Sequence, residues 1–509
     1  MELFILTAGV SQPEVIQRAN LLARQHPKIH TIRCEYEDFD RVLEESHSDF
    51  ICLMESGDRL RPHAVGRLAS AISVNGADIA YADEVILTAS GNRVHKFVLR
   101  PAFCLDHFLN QPCIGLMTAI RRELLAVDEP PADCKSVEVL NEKLILHALA
   151  SAETVVHLPD FIFERLSPKT IPKTRRLPPS FIEKFINRCG FEHATVRPTA
   201  SPTLYSIRYN HPVPGKTAII IPTKNQGQLL ELAVQSLERT VPEELYHLVV
   251  IDHESDDRYT QAYLSDLAKK HQVISYQGVF NFSKINNFAV TKLDGIYDSF
   301  LFMNNDVEAI HTGWFESMRD KLGRCDVGIV GAVLLFPPKN VGASSHVAGP
   351  NREPDASTIR SDQQTTYTRG ETFFSAVQLD NCKIQHGGVM LGVGIAEHYL
   401  KYEEYQNTYL EGPSLNPTLP SPVTRRFSAV TAACMMTRRN VFEDLGGFDE
   451  NLAIAYQDVD LCLRTRDEGR KVLCDAEAVL FHHESVSRST KDYLLGDPHP
   501  EDSANFRSI

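Results

Sequence analysis

"TAIIIPTKN" (217–225), "QLLELAVQSLERT" (228–240) and "LVVID" (248–252) decide how this chain folds. The first is a continuous apolar run that stops at a polar turn, the second places Leu and Val at helical spacing, and the third is again continuously apolar. Strand, helix and strand in that order, with strands apolar on both faces, mean a parallel sheet covered on both sides. The helical spacing of "YTQAYLSDLAKKH" (259–271) carries the alternation on. The fold class is therefore α/β, of the nucleotide-binding kind, in which ligands sit outside the carboxyl ends of the strands.

Polar residues that end these strands are the first place to seek function. "PTKN" (222–225) ends one strand and "IDHES" (251–255) another. A carboxylate at Asp252 suits hydrogen bonds from a nucleobase or ribose, while Ser255 and Asp256 read as caps of the helix that follows. "FLFMNNDVE" (300–308) ends a third buried run. Asp306, flanked by Asn304, Asn305 and Glu308, offers hard oxygen ligands to Mg²⁺ or Mn²⁺. Capping of the helix near Thr312 by Asn304 and Asp306 is the alternative, and the motif alone leaves both open. In "GGFDENLAIAYQDVDLCLRTRDEG" (446–469), Asp458 and Asp460 straddle a helix start. They serve there either as carboxylates favoured by the helix dipole or, near a bound diphosphate, as a general base. "LFHHESVSR" (480–488) ends a further apolar strand in two histidines with Arg488 close behind. One imidazole suits a metal and Arg488 a phosphate.

Composition narrows the classes. With 43% apolar and 23% charged residues in 509, the chain is ordinary globular protein of two to three domains. A net charge of −14 argues against an electrostatic grip on nucleic acid. No run approaches the roughly 18 apolar residues of a membrane span, and "MELFILTAGVSQPE" lacks the basic start and cleavage site of a signal peptide. The expectation is a cytoplasmic protein. Its 11 scattered cysteines, without a CxxC pair, fit reduced thiols and give no zinc spacing.

"LSPKTIPKTRRLPPSF" (166–181) and "YNHPVPGK" (209–216) read as connector, which divides the chain into residues 1–165, a linker 166–215, a catalytic domain 216–490 and a tail 491–509. Within the catalytic domain, residues 341–380 are polar and aperiodic, an inserted surface loop. The tail reads as a fraying terminus or as a short end folded over a bound ligand. The first part looks like a worn copy of the second, because "DFICLMESGDRLRPHAVGRLASAI" (49–72) parallels "SFLFMNNDVEAIHTGWFESMRDKL" (299–322). Laying "LILH" (144–147) on "LCLR" (461–464) puts Asn141 on Asp458, Lys143 on Asp460 and, further on, Arg165 on His482.

"IIIPTKN", "VVIDHES", "FNFSKINNFAV", "LFMNNDVE", "IQHGGVMLGVG", "SAVTAACMMTRRNVFEDLGGFDE", "YQDVDLCLR" and "FHHESVSR", in that order over roughly 216 to 490, together resemble the family-2 glycosyltransferases of GT-A fold. The nearest group is the bacterial rhamnosyltransferase and O-antigen or surface-polysaccharide type. The resemblance implies a GT-A domain with a Rossmann-like mixed sheet, preceded by a smaller, degenerate GT-A-like one. It implies that Pro222, Thr223, Asn225 and Asp252 line the nucleotide pocket, with Asn286, Asn287 and Asn305 beside it. Asp306 becomes the metal-binding acid of the DXD motif, whose first acid is here Asn304. One of His482 and His483 completes the metal or diphosphate site, Thr431 borders sugar or acceptor, Arg488 meets phosphate, and Asp458 is the catalytic base. The implied reaction moves a sugar from a nucleotide-diphosphate sugar to a hydroxyl of a glycan or lipid-linked glycan, with Mg²⁺ or Mn²⁺ and with inversion. A place at the inner face of the plasma membrane goes with such an acceptor. A nucleotidyltransferase or a non-catalytic scaffold are the competing classes.

Overall fold

A computed structural model describes residues 39–125 (without 56, 57 and 89), 136–166, 177–338 (without 200, 202 and 294–296), 382–405 (without 393–395), 422–483 and 499–508, with segments 3–6 and 29–32 and residue 379. Two compact units meet in sequence at Ile207 and Arg208.

The first unit begins with a parallel pair, β1 (Leu3–Leu6) and β2 (Ile29–Ile32). Its main sheet uses β3 (Phe50–Ile51), β4 (Arg59–Leu60), β5 (Ile79–Leu87), β6 (Val94–Val98), β7 (Ala119–Arg121) and β8 (Val155–Leu166) in the order β3-β7-β5-β8-β4, with β6 on β5. The stretch expected as bare linker is structured instead. It holds helix Pro179–Arg188 and a pair, β9 (Thr195–Pro198) and β10 (Tyr205–Arg208). Pro179 opens that helix, where a missing N–H costs nothing. Ile182, Phe185 and Ile186 then bury one face, so a stretch that Pro marks as an exposed connector also carries an apolar stripe.

The second unit contains β11 (Lys216–Thr223), β12 (Tyr246–Asp252), β13 (Gln272–Ser275), β14 (Tyr297–Met303), β15 (Val307–Ala309), β16 (Val327–Leu335), β17 (Ile384–His386), a small hairpin of β18 (Val389–Leu391) and β19 (Ala396–His398), then β20 (Arg425–Arg426), β21 (Cys434–Arg438) and β22 (Lys471–His482). The sheet order is β13-β12-β11-β14-β21-β16-β22-β15, with β17 on β16 and β20 on β22. β13 to β14 are parallel, as the continuous apolar runs predict, but β21 enters antiparallel to both β14 and β16. The sheet is therefore mixed. Helices Gly227–Thr240 and Trp314–Leu322 close one core around Trp314, and a second core packs Phe302 against Phe448 and Phe442, with ring centroids 4.8 and 5.0 Å away. Each fully buried ring of this kind contributes about 1.5–3 kcal/mol.

The two units share a sheet plan. β3, β7, β5, β8 and β4 pair in the same order and the same senses as β14, β21, β16, β22 and β15, and β6 lies antiparallel on β5 as β17 does on β16. Both parallel pairs also slip register at the matching step, after Ala82 in one and after Ala332 in the other. Among the described residues no helix is long and apolar enough to cross a membrane, and every cysteine is free.

Candidate functional site

Adjacent parallel strands bring their ends to one sheet edge. Thr223 pairs with Asp252 across β11 and β12, and β14 flanks β11 on the other side. Asn305 Nδ2 donates to Thr223 Oγ1 at 2.9 Å, which ties the third strand end to the first. Asn225 and Gln226 both adopt left-handed backbone (φ +57°). That turn lets the Asn225 amide reach across: Nδ2 donates to Asp256 Oδ1 (2.8 Å), and Oδ1 accepts from the Asp256 N–H (2.9 Å). Pro222, Thr223, Asn225, Asp252, Asn305 and Asp306 thus gather along one edge. Ser255 and Asp256 do not cap the next helix. Asp257 does, accepting from the Thr260 N–H at 2.8 Å, because Ser255 Oγ already receives the Asn225 N–H.

Asp306 is likewise no cap. Helix Trp314–Leu322 starts on Gly313 (φ +84°) without a side-chain cap, and β15 intervenes. β15 runs antiparallel to β22 with Val307 opposite His482, so both histidines arrive beside the acidic turn. They then divide. His482 Nε2 lies 3.2 Å from Asp306 Oδ1, while His483 Nε2 meets Glu308 Oε2 at 2.9 Å and its N–H donates to the Asp306 carbonyl. Burial works to raise the Asp306 carboxyl, yet the adjacent His482 imidazole carries it below the usual carboxylate range. Oδ1 of Asp306 is buried and has no well-formed hydrogen bond. A buried carboxylate oxygen with a spare lone pair beside an imidazole nitrogen fits Mg²⁺ or Mn²⁺. Among the described residues no cluster of three or more such ligands is assembled. Two protein ligands leave positions for water and phosphate oxygens, the arrangement Mg²⁺ commonly takes.

Asp458 stands on the first turn of helix Gln457–Asp467, behind Tyr456, which takes left-handed backbone (φ +66°). Its Oδ2 accepts from the Ala432 N–H at 3.0 Å and its Oδ1 from the Val459 N–H at 2.8 Å. Burial outweighs those bonds and that of the Thr431 hydroxyl, and the carboxyl sits above its ordinary value. Ala433 carbonyl accepts from the Asn304 N–H (3.0 Å), so the turn holding Asp458 is joined directly to the end of β14. Asp460 is buried and committed to Arg464, whose guanidinium also donates to the Leu445 and Gly447 carbonyls.

Asn286 and Asn287 are occupied otherwise than expected. Asn286 is fully buried and donates to Phe282 carbonyl one turn back in its own helix. Asn287 clasps the Gly-Gly-Phe turn, accepting from Phe448 N–H and donating to Phe448 carbonyl. A Cβ at Gly447 would come within 2.6 Å of Asn287 Oδ1, and φ there is +78°, so glycine is required twice over. As placed, both amides brace the fold rather than face a nucleotide. Arg488, the insertion at 341–380 apart from Leu379, and residues 491–498 of the tail lie outside the described residues.

Three contributions escaped the sequence reading. Gln385 Oε1 sits 2.7 Å from His482 Nδ1. His386, fully buried, meets His398 Nδ1 to Nδ1 at 2.7 Å and accepts from the Thr431 N–H at 3.4 Å. "IQHGG" is among the motifs that carry the resemblance and opens with the short strand β17, but nothing local says which neighbours its side chains find. The third is the tail. Helix Pro500–Ser508 docks on the loop before Asp458, where the Asp502 carboxylate accepts from the N–H groups of Ala453, Ile454 and Ala455 (3.1, 2.8 and 2.8 Å). Phe506 stacks on Tyr456, centroids 5.0 Å apart. Asp502→Ala leaves these donors without their acceptor and should destabilise the loop by about 1–3 kcal/mol, read as faster amide exchange at 453–455, with Asp502→Asn milder.

Residues 218–376 match the family described as Glycosyl transferase family 2. With the mixed sheet, this gives the second unit the GT-A fold expected of it. Over 457 residues the chain is 27% identical to the O-antigen biosynthesis protein RfbC of Myxococcus xanthus, covering 86% of this chain and 31% of that one. It is 25% identical over 523 residues to the uncharacterized protein y4gI of Sinorhizobium fredii, covering 98% of this chain and 50% of that one. The chain thus spans half or less of the length of these curated relatives. Among solved structures, GalNAc-T7 with UDP, GalNAc and Mn²⁺ aligns over 55% of this chain and 45% of its own at 13% identity and a TM-score of 0.37.

Proposed function

We propose that the second unit is an inverting, divalent-metal-dependent glycosyltransferase that moves a sugar from a nucleotide-diphosphate sugar to a hydroxyl of a glycan or lipid-linked glycan in surface-polysaccharide or O-antigen synthesis. The observation that carries this reading is the joining of Asp306 with His482 to a raised carboxylate at Asp458 through Asn304, Ala433 and Ala432. Thr223, Asn225 and Asp252 line the nucleotide at the sheet edge, with Pro222 and Asn305 setting that edge. Asp306 and His482 hold Mg²⁺ or Mn²⁺, which supplies positive charge where the leaving diphosphate develops negative charge. Asp458 takes the acceptor proton, and its raised affinity for a proton suits a base near neutral pH. Attack from the face opposite the diphosphate inverts the anomeric carbon without a covalent enzyme intermediate. Thr431 borders the sugar or acceptor. Sugar nucleotides and the acceptor meet at the cytoplasmic face of the membrane.

The first unit is proposed to be a degenerate copy without transfer activity. Its support is the shared strand order together with two replacements. Asn141 donates to Gly115 carbonyl, in the segment where β7 matches the β21 segment that begins just after Ala432, the contact of Asp458. Arg165, near the end of β8, pairs with Glu55 and Glu138 at 3.0 Å each, so a fixed guanidinium occupies the strand end where the second unit has its histidines.

The test is a panel of nucleotide-sugars incubated with purified protein, with and without Mn²⁺, reading the nucleotide released. Nucleoside diphosphate from one donor, only with metal, supports transfer. Pyrophosphate released when a nucleoside triphosphate and a sugar phosphate are offered in parallel would replace this reading with nucleotidyl transfer, and no turnover or binding of any donor by folded protein would leave a scaffold.

A further inference from the structure

We propose that Gln385 is a positioning residue that fixes the tautomer of His482 and thereby turns the Nε2 lone pair toward the cation position at Asp306. This rests on the metal reading of Asp306 given above. β17 pairs antiparallel to β16 with Leu334 opposite His386 and Leu335 opposite Ile384, so Gln385 is the extra residue of a bulge. Bulges re-aim side chains, and they recur beside functional sites. Here the bulge sends a side chain only 3% exposed to the end of β22, where its Oε1 meets His482 Nδ1 at 2.7 Å.

An amide oxygen only accepts, so the hydrogen of that bond belongs to His482 Nδ1. A cation at Asp306 displaces the Nε2 hydrogen through which His482 meets the buried Asp306 Oδ1 at 3.2 Å in its absence, and the neutral ring then keeps its lone pair on Nε2. A side chain that donated to Nδ1 would move the hydrogen to Nε2, pointing it at Asp306 and closing the space to a cation. A ligating histidine whose other nitrogen donates to a fixed acceptor is oriented and made more basic, and loss of that acceptor commonly weakens metal binding by about 10–100-fold.

The experiment is a titration of the full chain with Mn²⁺ alone, following the free-ion electron paramagnetic resonance signal, on wild type, Gln385→Met, Gln385→Asn, Gln385→Glu and Asp306→Ala. Gln385→Met, of similar length and without a comparable acceptor, should raise the Mn²⁺ Kd about 10–100-fold and lose the nitrogen coupling of a bound imidazole in pulsed spectra. Gln385→Asn, shorter by one methylene, should weaken binding in the same direction and serves if the Met variant does not fold. Gln385→Glu keeps the acceptor and should retain both affinity and coupling. Wild-type affinity with intact nitrogen coupling in the folded Met or Asn variant, while Asp306→Ala loses the ion, overturns the role of Gln385 and leaves the metal reading standing. Undiminished Mn²⁺ binding in Asp306→Ala overturns both.

Discussion

Asp458→Asn is expected to lower sugar transfer about 10³-fold, the scale of a lost general base, while leaving the protein about as stable as the parent. Both halves follow from one fact. Burial raises the Asp458 carboxyl above its usual value of 3.8 despite bonds from Ala432 N–H, Val459 N–H and the Thr431 hydroxyl. A folded state that holds a carboxyl proton more tightly than the unfolded chain loses stability as pH rises through the folded value, so at neutral pH the charge works against the fold. Asparagine removes the charge but has one acceptor oxygen for the two backbone N–H groups and turns its NH2 to the other, so the relief of buried charge is offset. Transfer rates and melting temperatures of the two proteins check this, and a clear fall in melting temperature with activity retained would contradict it. The sign also fixes the pH profile: transfer by the parent should decline on the acid side as pH falls through this raised value, earlier than for an ordinary aspartate.

Asp306→Ala should cost about 10³-fold or more, the scale of removing a principal electrostatic stabiliser of a leaving group, and added Mn²⁺ should not restore it. The physical difference from Asp458 lies in the direction of the shift. Burial would raise Asp306, but the His482 imidazole holds it ionised. The substitution therefore leaves His482 half-enclosed without its anion. Activity measured over a Mn²⁺ range separates the outcomes, since a variant that recovers parental rates at high Mn²⁺ has lost affinity alone.

Much of this was legible in sequence because the information was local. A continuous apolar run such as "AIII" or "LVVI" declares a doubly covered strand, and polar residues at its end declare an edge; Thr223, Asp252 and Asp306 follow from that. What was illegible depends on pairing. Nothing near Gln385 says that a bulge will aim it at a histidine almost a hundred positions on, and nothing near Asp502 says that three N–H groups await it at 453–455. The direction of β21 is not readable from the strand itself, since a buried strand reads alike in either direction, and the mixed sheet was anticipated only through the family resemblance. Asn286 and Asn287 show the opposite error. The resemblance sets them beside the nucleotide, and the structure gives them Phe282 and Phe448 as partners. Pro and basic residues at 166–181 obscured the apolar face of the helix beginning at Pro179 in the same way.

The proposed transfer requires a sugar nucleotide and its metal to meet at the end of β14. Crystals of the full chain grown with Mn²⁺ and a nucleoside diphosphate, recorded at a wavelength where manganese scatters anomalously, test it directly. The expected result is a peak between Asp306 and His482 with diphosphate oxygens on its open side and the nucleoside toward Thr223 and Asp252. A nucleotide bound in the first unit, or a manganese peak away from Asp306, would contradict it.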